Sequence, residues 1–221
     1  MNSLLTPRLL KIAEMVKEGA SVIDVGTDHA YVPIYLVSEK KAKRALATDV
    51  NDGPIRRAAE NISAYGLSDF ITTQKTNGLC GVDSSMFDTI IIAGMGGILI
   101  GEILEKATDT DGKTFILQPM TAAMELREYL VNHGYIISEE AIVSEEEKLY
   151  TVIKAKKGQD VPYTKVELLV GRKNLNDPLY PLLKAKIKKK LEAKLAGKLQ
   201  AKEQDMDEIK YIQNLIEEME L

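Results

Sequence analysis

The sequence is poor in the residues that build cross-links and metal centres. It holds one cysteine, Cys80, and two histidines, His29 and His133. A lone thiol excludes an intramolecular disulfide and any multi-cysteine zinc site. Two imidazoles leave little for a histidine-rich centre, so no metal is expected. No apolar run approaches the roughly 20 residues of a membrane span. The start, Met1-Asn2-Ser3-Leu4-Leu5-Thr6-Pro7-Arg8, lacks the apolar stretch after a basic beginning that marks a secretory signal. The expected setting is the reducing cytoplasm, with no membrane contact. A basic excess is also missing: the net charge is −4, so the chain as a whole is not shaped electrostatically for nucleic acid. What is present is a globular composition, 45 % apolar and 28 % charged over 221 residues. That length can bury a core of useful size.

The order of hydrophobic patterns points to a doubly wound α/β sheet. Short apolar, β-branched runs occur at 21–25, 45–48, 71–73, 89–93, 114–117, 135–143 and 149–155. Four are continuous, as strands buried on both faces require. Helical patterns separate them. The first spans 4–17, with Leu5, Leu9, Ile12, Ala13 and Val16 on one face. Asp52 is the expected N-cap of a helix with Pro54 in its first turn, and Thr121 that of a helix stopped by Gly134. The last two strands are too close for a crossover helix and predict an antiparallel pair. The stretch 156–160 reads as a linker between a domain at 1–157 and a second at 161–221. The tail holds 12 basic and 10 acidic residues. Leu183, Ile187, Leu191, Leu195 and Leu199 recur every four residues, and Met206, Ile209, Ile212, Ile216 and Met219 form a second stripe. Together they predict an antiparallel helical hairpin resembling a coiled coil.

Four segments carry the chemistry. In Asp24-Val25-Gly26-Thr27-Asp28-His29-Ala30-Tyr31 a buried strand ends in an acid and turns through glycine into a helix. Open α/β sheets bind ligands beyond such strand ends. The nicotinamide fingerprint G-x-G-x-x-G is absent, because Asp28 stands at its second glycine, and a pyrophosphate there would be repelled. Carboxylates at this turn suit a cationic amino or sulfonium group instead. Asp49, followed by Val50, ends the second strand 25 residues after Asp24, where a carboxylate can accept both hydrogen bonds of a ribose diol. Asn77-Gly78 follows the third strand, and the asparagine amide matches an adenine edge. Ile92-Ala93-Gly94-Met95-Gly96-Gly97 runs a buried strand into a glycine loop, where backbone can face a flat ligand without an intervening Cβ.

Taken together, Asp-x-Gly-x-Asp-His-Ala-Tyr, the ribose-type Asp49 and Ile-Ala-Gly-Met-Gly-Gly resemble class I S-adenosylmethionine-dependent methyltransferases. More narrowly, the chain resembles the bacterial TrmK family of tRNA (adenine-N1) methyltransferases, which act on adenine 22. The resemblance spans nearly the whole chain and takes in Gln118-Pro119 and His133-Gly134-Tyr135. It implies a Rossmann-like seven-stranded, mainly parallel sheet with a reversed last strand, plus a C-terminal helical hairpin. It implies S-adenosyl-L-methionine as cofactor, with Asp24, Gly26 and Asp28 along its methionine part. Asp49 would hold the ribose, Asn77 and Gly78 the adenine. Gly94 and Met95 would form the loop beside the sulfonium, and Val25, Val50, Ala93 and Gly96 complete the implied cofactor-binding set. Asn77 stands where the family commonly has aspartate; it keeps the hydrogen bonding and drops the charge.

The implied reaction is attack of adenine N1 on the sulfonium methyl, with Asp28, His29 and Tyr31 as candidate catalytic residues. The implied partner is tRNA, and a monomer is favoured. The stripe Lys184, Lys186, Lys188, Lys189, Lys190 and Lys194 is the candidate phosphate-binding surface; lysines paired within the hairpin are the competing reading. Two other functions stay open on these residues: methylation of DNA, protein or a small molecule, and a non-catalytic cofactor-binding module. The absence of an Asn-Pro-Pro-Tyr loop argues against an exocyclic-amine target.

Overall fold

The computed structural model describes residues 4–201 and 203–220. Met1, Asn2 and Ser3 of the N-terminal reading, and Lys202 between the tail helices, lie outside the described residues. Seven strands form one sheet: β1 (Ala20–Val25), β2 (Ala42–Asp49), β3 (Ile71–Lys75), β4 (Thr89–Gly96), β5 (Thr114–Thr121), β6 (Tyr135–Glu145) and β7 (Lys148–Lys157). Their spatial order is β3-β2-β1-β4-β5-β7-β6. The pairs β1–β2, β2–β3, β1–β4 and β4–β5 are parallel. Strand β7 runs antiparallel to both neighbours, as the short gap before it requires.

The strands are apolar throughout because helices cover both faces. Ile91 of β4 packs into one core with Val22, Ile34, Leu36 and Ala58. Its neighbours Ile90 and Ile92 point the other way, toward Ile100, Leu104, Leu126 and Leu130. Helices α1 (Pro7–Met15), α2 (Tyr31–Ser38) and α3 (Asp52–Ala64) cover the first face; α4 (Gly97–Glu105) and α5 (Ala123–Asn132) cover the second. Two expected caps move by one residue. Asn51, not Asp52, is the N-cap of α3, and Asp52 instead binds Lys75 at 2.7 Å. The α5 cap is Ala122 in the left-handed region, because Thr121 is still paired in β5. Helix α1 is shorter than the apolar stripe: Thr6 precedes it and Pro7 occupies its first turn.

The expected linker is stapled rather than loose. The N–H of Gly158 donates to the Gly134 carbonyl at 2.9 Å, and Asp160 accepts from the Ile137 N–H at 3.2 Å. Beyond it lie α6 (Lys165–Val170) and a 3-10 turn (Arg172–Asn174), neither of which the hydrophobic pattern predicts. The signal for α6 was present as Thr164-x-x-Glu167, a complete capping box. The tail joins the body through Arg127, a fully buried side chain on α5. Its Nε binds Glu140 at 2.7 Å, and Nη1 donates to the carbonyl oxygens of Leu168 and Leu169.

The hairpin of α7 (Tyr180–Gln200) and α8 (Met206–Glu218) forms as expected. Its apolar stripes diverge in quality. Steps of four residues drift by about 40° each on a helix of 3.6 residues per turn. The α7 stripe therefore winds off the contact face: Leu183 is buried, Ile187, Leu191 and Leu195 are half-buried, and Leu199 is exposed. Helix α8 steps by three, three and four residues. It buries Ile209, Ile212 and Leu215, with Met219 buried just past its end; of the expected stripe Met206 is exposed and Ile216 only half-buried, so Leu215 takes the place of Ile216.

Removing one partner of a buried ion pair strands the other charge in the interior. Glu140→Ala is expected to lower the unfolding free energy by about 3–5 kcal/mol, read by urea denaturation. A loss under 1 kcal/mol would show that the Arg127 contact is not the attachment of the tail.

Candidate active site

The cleft sits where strand order reverses, between the carboxyl ends of β1 and β4. It encloses about 270 Å³, lined by Arg8, Asp24, Gly26, Thr27, Asp28, His29, Tyr31, Ala93 and Gly94 among others. The first turn is fixed by two bonds to one acceptor: the N–H groups of Gly26 and Thr27 both donate to the Thr48 carbonyl at 2.8 Å. That geometry puts Gly26 at φ +77°, and a Cβ there would lie 2.1 Å from the Met95 Cε. The dihedral is what calls for glycine, since the Met95 methyl is the end of a flexible side chain that could shift. The turn closes where the Thr27 hydroxyl accepts the Ala30 N–H at 3.1 Å, with Ala30 itself left-handed.

Asp24 is buried at the base of the cleft. Desolvation pushes its carboxyl up from 3.8 to about 6, opposed by its hydrogen bond to Thr27. Asp28 stands at the rim, exposed. Arg57 of α3 grips Asp28 Oδ1 through Nη2 and through Nε at 3.1 Å. The His29 Nε2 lies 3.3 Å from Asp28 Oδ2. The Asn61 amide nitrogen donates to the His29 carbonyl at 3.0 Å and faces Nδ1 at 3.4 Å. An amide nitrogen can only donate, so Nδ1 is the accepting nitrogen and Nε2–H points at Asp28. The His29 and Tyr31 rings stack, 5.0 Å apart and 8° from parallel.

On the other wall, Gly94 is left-handed at φ +78° and its N–H donates to the Gln118 Oε1 at 3.1 Å. The same oxygen accepts from Arg8 Nη1 at 2.8 Å. The buried Arg8 Nε is ion-paired with Glu145 Oε1 at 3.6 Å, and the Arg8 backbone N–H donates to Glu145 Oε2 at 2.8 Å. Arg8, Gln118 and Glu145 thus form a support for the Gly94 loop that motif reading did not assemble.

Other expected site residues lie beside the cleft rather than in it. Asp49 ends β2 and accepts the Asn51 N–H at 2.7 Å; its carbonyl accepts the Thr76 N–H at 2.9 Å. Those bonds align Asp49 with the loop carrying Asn77, which is exposed, and Gly78, which packs on Ile103. Val25 points into the core, and Val50 is exposed. Gly96 borders Thr121. None of the six tail lysines lines the cleft. Lys188 binds Glu220 at 2.6 Å and Lys194 binds Glu208 at 2.8 Å, within the hairpin. Lys184, Lys186, Lys189 and Lys190 make no ion pair among the described residues. Within the same limit, no group of three or more His, Cys, Asp or Glu is placed to hold a metal, and no helix is long and apolar enough to cross a membrane.

A family model described as a methyltransferase domain matches residues 5–153. The tRNA (adenine(22)-N(1))-methyltransferase of Bacillus subtilis (strain 168) is 39 % identical over 175 residues, covering 77 % of this chain and 74 % of that protein. The chain belongs to the tRNA (adenine(22)-N1)-methyltransferase family. The crystal structure of the B. subtilis M1A22 tRNA methyltransferase TrmK superposes with a TM-score of 0.88 at 30 % identity, over 98 % of this chain and 97 % of that one. The M. capricolum TrmK structure in complex with S-adenosyl-homocysteine gives 0.84 at 30 % identity, over 98 % and 96 %. In this methyltransferase, as in those relatives, the hairpin tail is part of the matched fold.

The raised Asp24 pKa gives a stability signature. Between about pH 4 and pH 6 the folded protein holds a proton that the unfolded chain has released. Stability therefore falls as pH rises through that window and levels off above it. A shift of this size corresponds to roughly 2–3 kcal/mol. Asp24→Asn is expected to stabilise the ligand-free protein at pH 7.5 and to lose that advantage by pH 4. Urea titrations at the two pH values check it; an equal offset at both would refute the burial argument.

Proposed function

We propose that this protein transfers the methyl group of S-adenosylmethionine to N1 of adenine 22 in tRNA. The observation that carries the reading is the cleft itself, which combines acidic and basic groups in the pattern of an α-amino acid. Asp24 and Asp28 suit an ammonium and a sulfonium, and the Arg8 guanidinium on the cleft wall suits a carboxylate. Gly26 and Gly94 leave room for close approach, and Asp49 at the end of β2 offers a free carboxylate oxygen to a ribose diol. The fit supports residues 1–157 as the catalytic domain, with 161–221 as a helical domain facing RNA.

When bound, the cofactor supplies a methyl group on a positively charged sulfur. The protein's part is mainly positioning, which can contribute roughly 7–11 kcal/mol. Adenine N1 has a free lone pair at neutral pH, so no base is needed before attack. Its edge is blocked in a paired stem, so the base must be unpaired or turned out into the cleft. The stacked His29 and Tyr31 present a flat face to receive it. Methylation leaves positive charge on the ring, relieved when the N6 amino group gives up a proton. Asp28 is the acceptor this geometry favours, since its carboxylate is exposed at the rim. His29 positions Asp28 through Nε2–H, having its other nitrogen occupied by Asn61. Arg57 holds the second carboxylate oxygen.

The test is methyl transfer from labelled S-adenosylmethionine to tRNA, followed by nucleoside mass analysis. The expected product is 1-methyladenosine; label in any other nucleoside, or none, overturns the reading. Asp28→Asn keeps the shape and removes the proton acceptor. It is expected to lower kcat by about 10²–10⁴-fold while changing S-adenosylhomocysteine affinity far less. An unchanged kcat would remove Asp28 from the mechanism. Asp49→Ala is expected to weaken S-adenosylhomocysteine binding in calorimetry by tenfold or more, on the order of the 1.5–3 kcal/mol of a charged hydrogen bond. Wild-type affinity would place the ribose elsewhere.

A further inference from the structure

A second concavity, about 410 Å³, lies between the β5–α5 junction and helix α7. Pro119, Met120, Thr121 and Ala122 form one wall, and Leu183, Ile187 and Leu191 of α7 form the other. It adjoins the cofactor cleft without sharing a lining residue with it. The Arg8 guanidinium, on the cleft side, sits 5.5 Å from the ring centre of Tyr150, which lines the groove. The glycine loop touches it too: a Cβ on Gly97 would lie 2.1 Å from the Ala122 carbonyl oxygen.

Three features of this groove attract an anion. The first is the N-terminus of the ten-residue helix α5, whose cap Ala122 makes no side-chain hydrogen bond. The first bond inside the helix is from Leu126 N–H to Ala122 O, so the N–H groups of 123–125 remain to be satisfied. The second is Arg127, fully buried and lining the groove, whose Nη2 is buried without a hydrogen-bond partner. Its Nε and Nη1 are already committed to Glu140 and to the α6 carbonyls. The third is Lys190 on the rim, exposed and in no ion pair among the described residues, unlike its neighbour Lys194, which Glu208 holds. Glu125, also lining the groove, is exposed and opposes them. Apart from Thr121, Thr151 and Lys194, the rest of the lining is mainly apolar, with Met120, Leu149 and the Tyr150 ring.

We propose that this groove takes a nucleotide of the RNA next to the methylated one, its phosphate at the α5 N-terminus against Arg127 and Lys190. A nucleotide is anionic at one end and flat and largely apolar at the other, which matches the two kinds of lining. Helix N-termini bind phosphate through free N–H groups and the helix dipole. The volume is within the range that encloses a ligand of this size. The site rests on the proposed reaction, since only an RNA with its target in the cleft would reach across the wall between the two. It divides the lysine stripe by role: Lys190 faces RNA, Lys188 closes the hairpin, and Lys194, which also lines the groove, is held by Glu208.

Ala123→Asp tests the groove without weakening the fold, because an acid in the first turn favours the helix. Lys190→Gln tests it from the other wall. For both, tRNA affinity is measured against salt concentration, with S-adenosylhomocysteine affinity and thermal midpoint as controls. The expected result is about tenfold weaker tRNA binding and a salt slope shallower by about one phosphate contact. Cofactor-product affinity and midpoint should match the wild type. Wild-type tRNA affinity and slope in both variants would overturn the proposal. Inorganic phosphate is titrated in parallel by calorimetry. Phosphate binding that Ala123→Asp abolishes, with the tRNA slope unchanged, would show a site for free anions and overturn the RNA assignment. Failure of the reaction itself is read separately, as absence of 1-methyladenosine with the wild-type enzyme.

Discussion

The Thr48 carbonyl oxygen accepts two N–H groups, those of Gly26 and Thr27, each at 2.8 Å. This pair of bonds turns the chain out of β1 while holding it against the end of β2. Every other part of the site depends on the resulting turn. It forces Gly26 into a left-handed conformation, brings Asp24 to the floor of the cleft and delivers Asp28, His29 and Tyr31 to its rim. It also leaves the space that the Met95 methyl fills, so the glycine loop after β4 packs directly against the turn after β1. The reversal of strand order supplies the opening between them. The turn determines what faces it.

The two acids of that turn are kept in different states by their surroundings. Asp24 is buried with one hydroxyl partner, so its charged form is disfavoured until a cation arrives. A ligand with a positive group recovers that desolvation energy on binding, which links a stability deficit in the free protein to affinity in the bound one. Asp28 is exposed and held by Arg57 and His29. Exposed pairs of this kind contribute little to stability. Their consequence is orientation: a carboxylate with fixed direction beside a cleft that receives a base.

Much of this was legible in the sequence because it depends on local order. Continuous apolar strands, glycines at strand ends and acids in fixed positions after them are properties of short segments, and they predicted the sheet, the cleft and the hairpin. What escaped was non-local. Arg8, Gln118 and Glu145 come from three distant segments, and nothing in their own neighbourhoods marks them as one support. Nothing local marks Arg127 and Glu140 as a buried pair, because the carbonyls that complete the Arg127 site come from α6. The caps of α3 and α5 moved because β-pairing carries Thr121 further than its side chain suggests, and because Asn51 precedes Asp52 with equal capping ability. The every-four leucine pattern of α7 identified a helix correctly and its buried face poorly, since that spacing drifts around the axis.

The drift of α7 has a functional side. A helix whose apolar stripe stayed in register would seal against α8 along its length and bury its lysines' stems in the hairpin. Instead Leu183, Ile187 and Leu191 line the groove at the β5–α5 junction together with Lys190 and Lys194, while Lys188 pairs with Glu220 just past α8 and Glu208 of α8 reaches Lys194. One helix thereby serves two surfaces. The buried contact of Arg127 with Glu140 and the α6 carbonyls fixes the start of the tail on the body, so α7 leaves at a set position beside the active cleft. The positive groups around the groove therefore come from both parts of the chain, Arg127 from the body and Lys190 and Lys194 from the tail, and the tail lysines line the groove without entering the cofactor cleft.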